Sequence, residues 1–120
     1  MNLFPGIPFV LVKGNHDILP ESYYKSTNLK VYPELLLEPP FAFTHEPVDN
    51  LDGYNVCGHL HPAIRLSGQG LQSLRLPCFY FSEQRLILPA FGAFTGCMTI
   101  KPKRGDVVYG IAEERVMKVL

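Results

Sequence analysis

Charge is scarce in this 120-residue sequence: Lys, Arg, Asp and Glu make up 18% of it, where an ordinary globular chain carries about 25%. The eleven cations and eleven anions cancel, so the chain as a whole lacks the electrostatic footprint of a protein that holds nucleic acid by its phosphates. A local patch stays open, although Arg65, Arg75 and Arg85 are dispersed along the chain and Lys101, Lys103 and Arg104 beside Gly105 read as a solvated turn. So little charge suits a chain that meets a partner, self-associates, or lacks part of a domain. Cysteine is scarce too. Three residues, Cys57, Cys78 and Cys97, with no C-x-x-C spacing, make neither a disulfide framework nor a zinc ribbon and, in apolar surroundings, read as buried free thiols in a reducing compartment. No apolar run approaches the roughly 18 residues of a membrane span. The start, Met1-Asn2-Leu3-Phe4-Pro5-Gly6, has no basic region ahead of an apolar one and is broken by proline, unlike a secretory signal. A cytoplasmic location is the resulting expectation.

What is present is one domain's worth of chain, 47% apolar, without repeats or low-complexity tracts. Eleven prolines punctuate it into short strands between turns. Residues 7–13 form a continuous apolar run ending at Gly14, the pattern of a strand buried on both faces. Residues 20–26 are the best helix in the first half, followed by a strand over 27–32. Strands are expected at Leu35–Glu38 and Phe41–Thr44, joined through Pro39-Pro40, and at Tyr54–Cys57. The second half reads as strands at 63–66, 71–76, 79–81, 86–88, 98–100, 107–111 and 116–119, with an irregular loop over 89–96.

All four histidines fall in three short motifs: Gly14-Asn15-His16-Asp17, Thr44-His45-Glu46-Pro47 and Gly58-His59-Leu60-His61. Each follows a strand-like run, which sets polar side chains where loops on a rigid sheet carry chemistry. In an extended strand His59 and His61 would share a face and address one ion; in a tight turn they would address two. Two divalent ions about 3.5 to 4 Å apart are the usual clamp for displacement at phosphorus. Asn15 offers a neutral carbonyl oxygen to a cation, while His16 and Asp17 suit a proton donor and the group that orients it. Gly14 is read as the residue that lets the chain turn sharply off its strand. Singly, each motif has a plain reading: a surface pair, a polar turn, and a hydrogen-bonded structural histidine at 45. Together they hold every histidine of the chain, and coincidence is the weaker explanation.

The order of these motifs resembles the calcineurin-like metallophosphoesterases, whose pattern runs D-x-H, G-D, G-N-H-D, a lone His, then G-H-x-H. Within them, Phe41 to Pro47, Gly58 to Pro62 and Leu88 to Gly96 look like the bacterial ligase-associated DNA damage response phosphoesterases. The resemblance implies a β-rich α/β fold, the carboxyl-terminal part of an αββα sandwich with mixed sheets and few helices. It implies that Asn15, His45 and His59 ligate a second metal and His61 a first, with manganese ahead of iron or zinc. It also implies that His16 protonates the leaving oxygen, with Asp17 orienting it, and that no side chain serves as nucleophile. The implied substrate is a phosphoester, with DNA as a candidate, and the implied partners are a DNA ligase or helicase.

The departure is that D-x-H and G-D are missing: Asp17 is the first acidic residue of the chain. The first metal would keep only His61, and the second would lack a bridging carboxylate. Residues 1–120 are therefore expected to be a single, incomplete phosphoesterase domain whose strand over 7–13 would be uncovered on one side. Self-association, or a partner carrying the missing half, is expected to follow. The rival expectation is a non-catalytic remnant or binding subunit contacting a DNA-repair partner. A third possibility is a single-zinc hydrolase in which His45, His59 and His61 converge and Asn15 is irrelevant.

Overall fold

A computed structural model of the chain describes residues 4–70, 72–92 and 96–120. Among them lie eleven strands and one short helix: β1 (Val10–Val12), α1 (Glu21–Lys25), β2 (Lys30–Tyr32), β3 (Leu35–Glu38), β4 (Phe41–Thr44), β5 (Tyr54–Cys57), β6 (Pro62–Ser67), β7 (Ser73–Ser82), β8 (Arg85–Ile87), β9 (Met98–Thr99), β10 (Val107–Ala112) and β11 (Arg115–Lys118). The β-rich α/β class with mixed sheets expected from the sequence is the one observed. β1 and β2 form a parallel pair of their own, and the other nine strands make one sheet system in the order β11-β10-β7-β8-β5-β4-β3, with β6 and β9 attached through β7.

The centre of that sheet positions the chemistry. β4, β5 and β8 run parallel to one another, so their carboxyl ends emerge at the same edge, where ligands commonly bind in α/β sheets. The exits are stitched together, because Gly58 N–H donates to His45 O at 2.8 Å and Leu88 N–H to Cys57 O at 2.8 Å. Beneath them Asn55, only 3% exposed, donates from Nδ2 to Ala42 O and to Thr44 Oγ1, both at 3.0 Å. Its Oδ1 accepts Val48 N–H at 3.3 Å, and Thr44 Oγ1 donates to Glu46 O at 2.6 Å. A buried amide with its groups matched fixes the loop that carries His45.

β7 is one strand where the sequence suggested two, at 71–76 and 79–81; Leu71 itself lies outside the described residues. Its first half pairs with β6 up to Ala63↔Pro77, and its second with β10 from Gly110↔Cys78. Pro77 thus stands where the partner changes, a position that tolerates a residue with no N–H. Ile64, Leu76, Cys78, Ile100 and Val108 form the core there.

The strand over 7–13 is corrected in length, and it is exposed where an uncovered side was expected. Only Val10–Val12 pairs, with β2 alone, and Ile7, Phe9 and Val10 remain 55%, 48% and 46% exposed. An apolar run buries itself only where a layer covers it, and no described layer does so here. The radius of gyration, 16.7 Å, exceeds the roughly 14 Å of a compact chain of this length, in keeping with that open face.

Candidate metal centre

The exit of β1 meets the exits of β4 and β5 through three side chains. His45 Nε2 lies 2.9 Å from Asn15 Oδ1 and 3.0 Å from His59 Nδ1, and the two imidazoles meet edge-on at 4.8 Å between ring centres. Residues 30 and 14 positions from His45 are thereby drawn to one of its nitrogens. A cleft of about 490 Å³ runs past Gly14, Asn15, His45 and Glu46.

Gly14 permits this contact in a way different from its expected role. It does not adopt a left-handed conformation; instead, a Cβ at this position would lie 2.5 Å from His45 Nδ1 and 2.6 Å from its Cε1. The missing side chain makes room for the imidazole ring.

The turn between β5 and β6 decides how its two histidines divide. His59 and His61 both hold left-handed backbone angles, φ 71° and 51°, which non-glycine residues keep only where the surroundings impose them. The extended alternative, in which both face one ion, is therefore not the geometry adopted. His59 turns toward His45, with Glu46 Oε2 at 3.9 Å from its Nε2. His61 faces away, and its Nδ1 donates to Gly96 O at 2.9 Å. A carbonyl can only accept, so the neutral His61 ring carries its proton on Nδ1 and presents an Nε2 lone pair, an orientation typical of a metal ligand.

His16 is exposed beside Asn15, whose Nδ2 is 3.5 Å from its Nε2. Asp17, expected to orient His16, instead accepts Gly14 N–H on Oδ2 at 2.8 Å and closes the turn with Asp17 N–H to Gly14 O at 3.2 Å. Burial, and next the neighbouring His59, hold the His45 imidazole below its ordinary value of 6.5, so the neutral ring with a basic nitrogen is favoured.

Two imidazole nitrogens and an amide oxygen form a donor set suited to a borderline divalent cation. Ligands about 2.1 Å from one ion and at right angles to each other stand about 3 Å apart, the spacing of both pairs around His45 Nε2. No group of three or more His, Cys, Asp or Glu among the described residues is placed to share one ion. The single-ion arrangement of His45, His59 and His61 thus finds no geometric support. Sequence reasoning missed Asn55, Thr44 and Gly96 as supports; an asparagine inside the apolar Tyr54–Cys57 strand was the available signal for the first.

Fold and site together describe a β-rich α/β scaffold with a histidine and asparagine cluster at parallel strand ends. Comparison with solved structures finds the same fold in a crystal structure of the Pseudomonas putida nuclease MPE, with 36% sequence identity and a TM-score of 0.76. The match covers 94% of this chain and 54% of that one, so the chain spans about half the length of that nuclease. No protein-family model matches the chain, and no curated protein does.

Proposed function

We propose that this chain carries the histidine half of a metal-dependent phosphodiesterase acting on nucleic acid. The observation that carries the reading is the convergence of Asn15 Oδ1 and His59 Nδ1 on His45 Nε2, at 2.9 and 3.0 Å. The nuclease likeness supports the substrate class. Asn15, His45 and His59 would hold one divalent ion, manganese ahead of iron or zinc, and His61 would offer Nε2 to another. When bound, such ions polarise phosphoryl oxygens and neutralise charge that develops on them. His16, exposed at the rim, donates a proton to the leaving oxygen. Asp17 fixes the turn that presents Asn15 and His16, acting through the Gly14 amide.

All three converging donors are neutral, and no described carboxylate joins them, so two-ion catalysis needs acidic ligands from further polypeptide. The open edge of β1 is a natural place for that polypeptide, since Val10 and Val12 turn their backbone groups away from β2. The exposed apolar side chains of the same region support self-association or a partner. The same neutral donor set favours a second reading, a non-catalytic binding subunit of a DNA-repair ligase or helicase. Free thiols suit the cytoplasm, with Cys57 and Cys78 buried as expected and Cys97 exposed instead, and no described helix is long and apolar enough to cross a membrane.

Bound metal per chain, counted alongside hydrolysis of a generic phosphodiester and of single-stranded DNA with added manganese, separates the readings. Turnover that His16→Ala abolishes while bound metal stays unchanged supports catalysis and the proton-donor role. Fewer than one ion per chain and no turnover favour the binding subunit. Loss of metal together with activity in His16→Ala refutes the role given to His16.

A further inference from the structure

Zero net charge conceals a strong partition along the chain. Residues 53–105 contain six lysines and arginines and one acid, Glu83, while the flanking segments carry the compensating anions. Folding spends one of these cations, since Arg85 Nη2 pairs with Asp49 at 2.7 Å. Arg65 and Arg75 are treated differently. Ten residues apart in sequence, they stand directly opposite each other across the β6–β7 ladder.

Like charges in that position repel, since directly opposed side chains have Cβ atoms about 5 Å apart. Neither arginine has a carboxylate partner among the described residues. Arg65 Nη1 donates to Ser73 Oγ at 3.4 Å, and Arg75 Nη2 donates to Cys97 O. Of the five N–H groups on each guanidinium, most are left to solvent. Ile64 and Leu76, the neighbours of these arginines along each strand, point into the core. Both guanidinium groups therefore lie on the outward face, flanked by Ser67 and Ser73, which pair across the same ladder.

This face leads to His61, the histidine that stands apart from the cluster. β6 begins one residue after His61, and Arg65 lies four residues, about 13 Å, along the strand from it. The segment that Arg75 holds through Cys97 O is the one whose Gly96 O accepts His61 Nδ1–H. At the same end, the loop that leaves β8 carries Phe91, fully exposed at 108%, three residues after Leu88 is tied to Cys57 O.

We infer that the outward face of β6 and β7 is the track for a single strand of nucleic acid, with Arg65 and Arg75 holding adjacent phosphates and Phe91 stacking on a base near His61. The choice of nucleic acid rests on the reading proposed above; the charge pair, its unused donors and the exposed ring are independent of the metal site. An unpaired base has a free face for an aromatic ring and a backbone that two close cations can follow, which a stacked duplex base lacks. Phosphates between the guanidinium groups also relieve their mutual repulsion.

The test is fluorescence anisotropy of labelled oligothymidylate in EDTA, where neither metal binding nor hydrolysis contributes. Arg65→Gln with Arg75→Gln should weaken binding roughly tenfold and lower the salt dependence by about 0.7 for each phosphate no longer neutralised. Arg65→Lys with Arg75→Lys should retain most of the affinity, and Phe91→Ala should weaken binding without changing the salt dependence. Arg115→Gln on β11, which pairs with β10 and with neither β6 nor β7, should bind as the parent does. The Gln pair should melt close to the parent, because the repulsion removed offsets the lost bonds to Ser73 Oγ and Cys97 O. Absence of binding by the parent, equal binding by the Gln pair, or equal weakening in Arg115→Gln would each overturn the inference, and tighter binding of a duplex would overturn the single-strand assignment. Binding through this face by a chain that takes up no manganese would refute the metal-centre reading and leave the track standing. Hydrolysis with unaltered binding by the Gln pair would do the reverse.

Discussion

Gly14→Ala should disable the metal centre while leaving the fold intact. A Cβ at Gly14 would sit 2.5 Å from His45 Nδ1, 2.6 Å from Cε1 and 3.0 Å from Cγ. Ordinary contact begins at 3.4 Å, so the ring must retreat by roughly 0.9 Å, the difference between those distances. The imidazole is rigid, and Nε2 moves with it. Metal–ligand distances tolerate only about 0.2 Å, and the 2.9 and 3.0 Å approaches of Asn15 and His59 open together. The expected loss of metal affinity is roughly a hundredfold, at the upper end of what misplacing a ligand costs. Stability should change by less than about 2 kcal/mol. Replacing a glycine that is not left-handed gains about 0.4–1 kcal/mol from the unfolded chain, against about 1 kcal/mol for each of the two broken hydrogen bonds. Calorimetric titration of manganese or zinc, alongside a thermal melt, measures both. Gly68→Ala is the control, since a Cβ there meets nothing within 4 Å. Wild-type metal affinity in Gly14→Ala would refute the packing argument.

Asn55→Ala should cost about 2–4 kcal/mol by denaturant titration, because the hydrogen bonds to Ala42 O, Thr44 Oγ1 and Val48 N are removed in a buried setting; a cost under about 0.5 kcal/mol would contradict its supporting role. In the native chain Cys97 should react with a disulfide reagent within minutes, while Cys57 and Cys78, 2% and 0% exposed, wait for unfolding. Burial pushes both buried thiols up to about 11 from 9.0, so the unfolded chain ionises first and stability should fall as pH rises from about 9 to 11; a flat profile there would count against their burial. For His45, whose pKa is held below 6.5, the unfolded chain takes up the proton first as pH falls. Stability of the metal-free protein should therefore decline below about pH 6.5, and His45→Gln should remove that component of the slope.

The strands legible in the sequence were those bounded by local chemistry. Leu35–Glu38, Phe41–Thr44 and Tyr54–Cys57 form as expected, because apolar runs end at Pro39-Pro40, His45 and Gly58. The misreadings share a non-local cause. Pro77 looked like a break, yet β7 runs through it because its two halves have different partners. The run over 7–13 was expected to be uncovered on one side and is exposed, but only Val10–Val12 pairs, because the partner strand's length is invisible in the run itself. At the site, motif order pointed to the side chains that gather, while their division did not follow from spacing: the i and i+2 rule holds for extended chain, and His59 and His61 are both left-handed. Asp17 was expected to orient His16 from its residue type and from the family resemblance, and its carboxylate accepts the Gly14 amide, since a turn satisfies its own backbone first. Arg65 and Arg75 seemed dispersed because cross-strand register is invisible in one dimension.

The most direct test is a titration of manganese, with zinc as a second probe, into the chain and its Asn15→Ala, His45→Ala, His59→Ala and His61→Ala variants, with bound metal counted independently after dialysis. One ion site that weakens at least tenfold in each of the first three variants, and is unchanged in His61→Ala, is the predicted result. Wild-type affinity in Asn15→Ala, or equal weakening in His61→Ala, would contradict the grouping of Asn15 and His59 around His45.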